Sequence, residues 1–198
     1  MKKILGSLVS CLFISSVNAT PITIDFDDLA SDFTVGAHYS GLGVTFVDAF
    51  TTTYGYLPGG TSPIAISHTS GYQPQPNDPI EAIFGFSVSS VSLTGLDVGL
   101  NGFVFSAYDA VVGGNLLATD QVFGSSVGVG EFFNLSLSAT GIRRVEFSQV
   151  RNVTGDGVVF DNFVFDTDAS AVPVPGSIAL LGLGLAGLGF SRKRKEAV

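Results

Sequence analysis

Apolar and polar residues alternate with a period of two along most of the chain. The segment Ile22-Thr23-Ile24-Asp25-Phe26 shows it cleanly, and such alternation marks strands with one buried face. The same pattern predicts strands at 43–50, 64–68, 82–88, 91–100, 103–110, 115–123, 131–138, 142–149 and 157–165, ten in all with the first. Gly59-Gly60, Gly113-Gly114 and the run Asn152-Val153-Thr154-Gly155-Asp156-Gly157 punctuate them as turns. No stretch carries the 3.6-residue periodicity of a long amphipathic helix. Regular short strands separated by turns predict an all-β domain over residues 20–168, an antiparallel, jelly-roll-like β-sandwich. The polar stretch 51–79, rich in Gly, Pro, Ser and Tyr, is long for a structureless connection, and such loops are usually functional.

Both ends break the pattern. Residues 1–19 place Lys2 and Lys3 before an apolar run from Ile4 to Val17, with Val17 and Ala19 at the positions −3 and −1 to a cut before Thr20. That order predicts a secretory signal peptide, cleaved by signal peptidase between Ala19 and Thr20. Leu8-Val9-Ser10-Cys11 loosely fits a lipoprotein box, but the apolar run continues past Cys11. Cys11 is the one cysteine, so the processed body has no disulfide, no thiolate nucleophile and no cysteine-based zinc site. At the other end, residues 176–190 carry no charge and are followed by Arg192, Lys193, Arg194 and Lys195. As a helix this run spans roughly 22 Å, short of the roughly 30 Å hydrocarbon core. It predicts a single transmembrane helix whose basic tail stays in the cytoplasm.

These C-terminal features, over 169–198, resemble a PEP-CTERM sorting signal. Val172-Pro173-Val174-Pro175-Gly176 stands where that family usually shows a Pro-Glu-Pro motif, with Val174 in place of the glutamate. The glycine- and leucine-rich span and the Arg/Lys tail follow in the family's order. The resemblance implies an exosortase as processing enzyme, membrane association before processing, and a cell-surface or extracellular destination in an exopolysaccharide-producing bacterium. The body is similar to exported galactose-binding-like jelly-roll domains through Ile24-Asp25-Phe26-Asp27-Asp28-Leu29, Gly41-Leu42-Gly43-Val44-Thr45-Phe46, Phe105-Ser106-Ala107-Tyr108-Asp109 and Val159-Phe160-Asp161-Asn162-Phe163. Many carbohydrate-binding modules share that architecture, and the resemblance implies a structural calcium ion tying the first strand to the last.

Charge sharpens the chemistry. Sixteen of the 17 acids lie between residues 20 and 171, against three bases, Arg143, Arg144 and Arg151. A body this acidic lacks the cations that nucleic-acid binding requires. Salt bridges cannot satisfy most of its carboxylates, whereas calcium takes 6–8 oxygen ligands. Asp25 and Asp27 share a strand face, and Asp161 lies in an apolar strand where an ionised carboxylate needs a partner. These three are the candidate calcium ligands, with Asp97 a weaker one. The alternative is that Asp25, Asp27 and Asp28 are solvated and Asp161 accepts backbone hydrogen bonds in a turn. Tyr54, Tyr56 and Tyr72 are candidate glycan platforms in the 51–79 loop; the alternative makes the tyrosines turn and core-edge residues. His38 and His68, the only imidazoles, are expected at surface or loop positions. No Gly-x-Ser-x-Gly elbow or His-Glu-x-x-His helix is present. The sequence thus points to a non-enzymatic structural or adhesive protein of the cell surface or biofilm matrix. A polysaccharide-binding module is the first alternative and a secreted hydrolase the second.

Overall fold

The structure is a computed structural model that describes residues 20–53, 64–68, 77–128 and 131–167. They belong to one compact unit, Ala19–Asp168. Its strands are β1 (Ile22–Ile24), β2 (Val44–Val47), β3 (Ala49–Thr53), β4 (Ile64–His68), β5 (Ile80–Val98), β6 (Phe103–Tyr108), β7 (Leu116–Val122), β8 (Glu131–Ser148) and β9 (Val159–Thr167). A short 3-10 helix, His38–Leu42, precedes β2. All strand ladders are antiparallel, in the order β3-β4-β9-β5-β8-β6-β7, with β1 beside β9 and β2 beside β5.

The domain is the expected all-β sandwich, with its strands divided differently. The segments 82–88 and 91–100 form one long strand, β5, and 131–138 joins 142–149 in β8. What separates the halves is not a turn but slipped register, between Ile83 and Val88 and again between Val88 and Ser90. Gly141, at φ +84°, supplies the left-handed residue at the corresponding place in β8. Conversely, 43–50 divides into β2 and β3, because Asp48 adopts φ +58° between them. Asp tolerates that region better than most side chains.

The long strands let one chain build two layers. The first half of β5 pairs with β2 and with the second half of β8. The second half of β5 pairs with β9 and with the first half of β8. Rings from the first set and from β6, which pairs with the second half of β8, meet β9 across the interior. Phe46 and Phe84 lie 5.3 and 6.1 Å from Phe163, centroid to centroid, and Phe103 and Phe147 each lie 4.9 Å from Phe160. Nine phenylalanines, among them Phe160, Phe163 and Phe165, are fully buried.

Strict alternation cannot turn both Phe160 and Phe163 inward, since they are three residues apart. The β5–β9 register resolves this. Ser92 opposes Val164 and Thr94 opposes Asp161, so β9 carries one residue more than its partner. The extra residue is a β-bulge, which resets the phase of the side chains. Asn162 sits in it at φ +52°, and the Asp161 carboxylate accepts the Asn162 N–H at 2.7 Å.

Phe163 contacts the rings of Phe46, Phe84, Phe147 and Phe165. Phe163→Ala is expected to cost about 3–5 kcal/mol, the range for a buried aromatic truncated in a close-packed core. Phe132→Ala, at a residue 38% exposed, is expected to stay within about 0.5 kcal/mol. Urea denaturation of the two variants checks this, and equal losses would contradict the assignment of the core.

Candidate functional site

Three clusters of titratable side chains stand out among the described residues. The first closes the turn after β1. Phe26, fully buried at φ +59°, lies two residues past the strand and packs edge-on against Tyr39 and Phe46. Burial thus continues as expected, Ile24 and Phe26 inside, Asp25 and Asp27 outside, although the strand itself stops at Ile24. The following Asp28 receives the Tyr39 hydroxyl at 2.5 Å and lies 2.9 Å from His38 Nε2. The Tyr39 hydrogen bond, then that of His38, holds the Asp28 carboxyl below the usual range. Burial, then the bond to Asp28, pushes the Tyr39 hydroxyl well above its ordinary value. The cluster fastens the 3-10 helix to the turn.

The second cluster lies where β2, β3, β4 and β5 approach one another. His68 ends β4 and pairs with Ala49, the residue after Asp48. Asp78 precedes Pro79 and β5. One ligand atom from each of Asp48, His68 and Asp78 lies within 4.8 Å of the other two. His68 Nε2 stands 3.4 Å from Asp78 Oδ2; the His68 side chain is 7% exposed and that of Asp78 61%. His68 is therefore not the surface residue the sequence suggests. Its strand delivers it to the interior, while His38 stays exposed on the 3-10 helix. Spacings of 20 and 10 residues carry no motif; the Asp48 turn and the β3–β4 pairing assemble the set.

The proposed calcium ligands are placed as follows. Asp25 and Asp27 are exposed, and Asp25 accepts the Asp27 N–H at 3.3 Å. Asp161 is 2% exposed and accepts a backbone N–H within the bulge. The β1–β9 ladder ends at Ile24 opposite Phe163, so the first and last strands do lie side by side. Asp97 lies in β5 at φ +59°. Asp156 caps a turn, accepting the Asn101 N–H at 2.7 Å. Tyr54, Tyr56 and Tyr72 lie outside the described residues. So do the signal segment up to Ala19, the motif from Val172 to Gly176 and the basic tail at Arg192, Lys193, Arg194 and Lys195. No helix among the described residues is long and apolar enough to cross a membrane.

A feature that sequence reasoning missed lies on β5, β6 and β8. Arg144, 8% exposed, reaches Glu81 at 3.2 Å, Glu146 at 2.8 Å and the Gly113 carbonyl at 3.0 Å. Its guanidinium stands 4.5 Å from the Tyr108 ring centroid. Tyr108 and Arg144 are cross-strand partners, as are Glu81 and Glu146. Burial, then Glu146, raises the Tyr108 hydroxyl above its ordinary value.

Residues 171–195 match the family model of the PEP-CTERM protein-sorting motif. That match implies export, a cell-surface destination and processing by an exosortase. No curated protein matches the chain. Among solved structures, the K2 cleaved adhesin domain of Lys-gingipain is similar to this chain in fold. It shows 12% identity and a TM-score of 0.50, over 74% of this chain and 99% of that one. A family 29 carbohydrate-binding module complexed with cellulohexaose shows 15% identity over 80% and 99%, at a TM-score of 0.39. A carbohydrate-binding module from Clostridium stercorarium in complex with cellobiose shows 18% identity over 74% and 94%, at 0.38.

Asp28 titrates below the unfolded carboxylate range, so its bonds stabilise the fold above about pH 4. That contribution disappears as pH falls through the folded value. Tyr39→Phe is expected to raise the Asp28 midpoint and move the onset of acid unfolding to higher pH. Carbon NMR of the Asp28 carboxyl reads the first and circular dichroism the second. An unmoved Asp28 titration would remove the Tyr39 hydroxyl as the cause.

Proposed function

We propose that this chain is a non-enzymatic, exported structural or adhesive protein of the bacterial cell surface or exopolysaccharide matrix. The observation that carries the reading is the sorting-motif match at 171–195. It stands directly after a sandwich whose last described strand ends at Thr167. In this scheme signal peptidase cuts between Ala19 and Thr20. The 176–190 span then holds the protein in the inner membrane, and Arg192, Lys193, Arg194 and Lys195 keep its tail in the cytoplasm. Exosortase acts at Val172-Pro173-Val174-Pro175-Gly176, with Val174 in the glutamate position.

A polysaccharide-binding role is the second reading. It is favoured by the Tyr108–Arg144–Glu81–Glu146 group, an aromatic ring with a polar end beside hydrogen-bonding charges, the mixture that suits partly wet sugar sites. Tyr54, Tyr56 and Tyr72 remain proposed platforms in the same reading. A structural calcium ion held by Asp25, Asp27 and Asp161 belongs to both, supported by the adjacency of β1 and β9 and by the shortage of bases in the body.

Intact-mass measurement on protein from an exosortase-bearing host is expected to give a chain that begins near Thr20 and lacks everything beyond about residue 175. A mature chain retaining Arg192 to Lys195 would overturn the sorting scheme and leave a simple anchor. Neutral replacements at those four basic positions are expected to weaken membrane retention in fractionation.

For calcium, residues 20–171 are expected to melt roughly 5–11 °C higher at a hundredfold excess over Kd, where binding to the folded state contributes about 2.7 kcal/mol. The response should be lost in Asp25→Ala or Asp161→Ala. Equal shifts with magnesium or sodium at matched ionic strength would reduce the effect to charge screening.

A further inference from the structure

We propose that Asp48, His68 and Asp78 form a binding site for a divalent transition ion, of which zinc is the working example. The donor set decides the class of metal. Imidazole nitrogen suits zinc, copper, nickel and iron, whereas calcium and magnesium take oxygen alone. One histidine and two carboxylates supply three protein ligands and leave a coordination position for water.

The spacing fits the same class. Ligands bound at 2.0–2.2 Å to a tetrahedral ion stand roughly 3.3–3.5 Å from one another. His68 Nε2 and Asp78 Oδ2 are 3.4 Å apart. A charge-assisted hydrogen bond between them would draw in to roughly 2.7–2.9 Å. The third ligand atom, from Asp48, lies within 4.8 Å of both. His68 forms the buried floor, and the exposed Asp78 and Asp48 leave the site open to ions from solvent.

The backbone presents these donors from three separate segments. Asp48 sits at φ +58° between β2 and β3, a left-handed conformation that Asp tolerates better than most side chains. Ala49 opposite His68 fixes the β3–β4 register. Asp78 stands at the entrance to β5. A bound ion would therefore clamp the β2–β3 junction to both β4 and β5.

The experiment uses the full chain purified in detergent and stripped with a chelator. Zinc is titrated by calorimetry, and cobalt serves as a spectroscopic stand-in. One zinc per chain is expected, with a rise in melting temperature that calcium and magnesium at equal concentration do not reproduce. Cobalt is expected to develop the strong visible absorption of a site with fewer than six ligands. His68→Ala and Asp78→Asn are each expected to weaken zinc at least tenfold and to abolish the cobalt band. Asp78 is exposed, so its variant keeps the test valid should the buried histidine prove necessary for folding. Absence of zinc binding, equal affinity in wild type and Asp78→Asn, or calcium displacing zinc at equal concentration would each overturn the proposal.

Discussion

The bulge at Asp161 and Asn162 is the constraint on which the sandwich depends. β9 runs through the middle of one layer, and three of its phenylalanines fill the space between layers. Period-two geometry would send Phe160 and Phe163 to opposite faces. One inserted residue, in a left-handed conformation and tied to the Asp161 carboxylate, brings both inward. The polar side chain buried at Asp161 is thus the local cost of a continuous aromatic core. It also explains why a strand this apolar contains an aspartate at all.

The second organising constraint is electrostatic. With three bases among the body's residues, the protein uses Arg144 intensively, against two glutamates and a carbonyl. Elsewhere carboxylates turn to neutral donors. Tyr39 serves Asp28, Asn115 serves Asp109 through both its backbone and side-chain nitrogens, and the Asn101 N–H serves Asp156. Hydrogen bonds to ionised acceptors are worth more than neutral ones, so this substitution is physically sound. The two hydrogen bonds that Asn115 gives Asp109 hold that carboxyl below its usual range.

The fold class was legible in the sequence because alternation reports burial directly. Ile24, Phe26, Phe46, Phe84, Phe103, Phe105, Phe163 and Phe165 lie inside as their pattern requires. Element boundaries were less legible. A register slip near Val88 and a left-handed Gly141 look in sequence like ends of strands, and Asp48 looks like the middle of one. The sorting segment was legible because its information is local, an order of proline motif, apolar span and basic tail. The Asp48–His68–Asp78 and Tyr108–Arg144 groups were not, because strand pairing between distant segments creates them and no spacing along the chain encodes it.

That pairing has a consequence for how the protein reaches the outside of the cell. β1, near the start of the body, hydrogen-bonds to β9 at its end, and β9 also separates β4 from β5. Contacts between segments so distant in sequence form late and slowly, since loop closure precedes any reward. During vectorial transfer through a membrane, the emerging chain lacks its central strand until Thr167 has crossed, only four residues before the matched segment begins at 171. The body therefore remains a threadable, uncompleted sheet for nearly its whole passage. Closure of the sandwich therefore falls within a few residues of the matched sorting segment, so the sheet can complete itself only when nearly the whole body has been delivered.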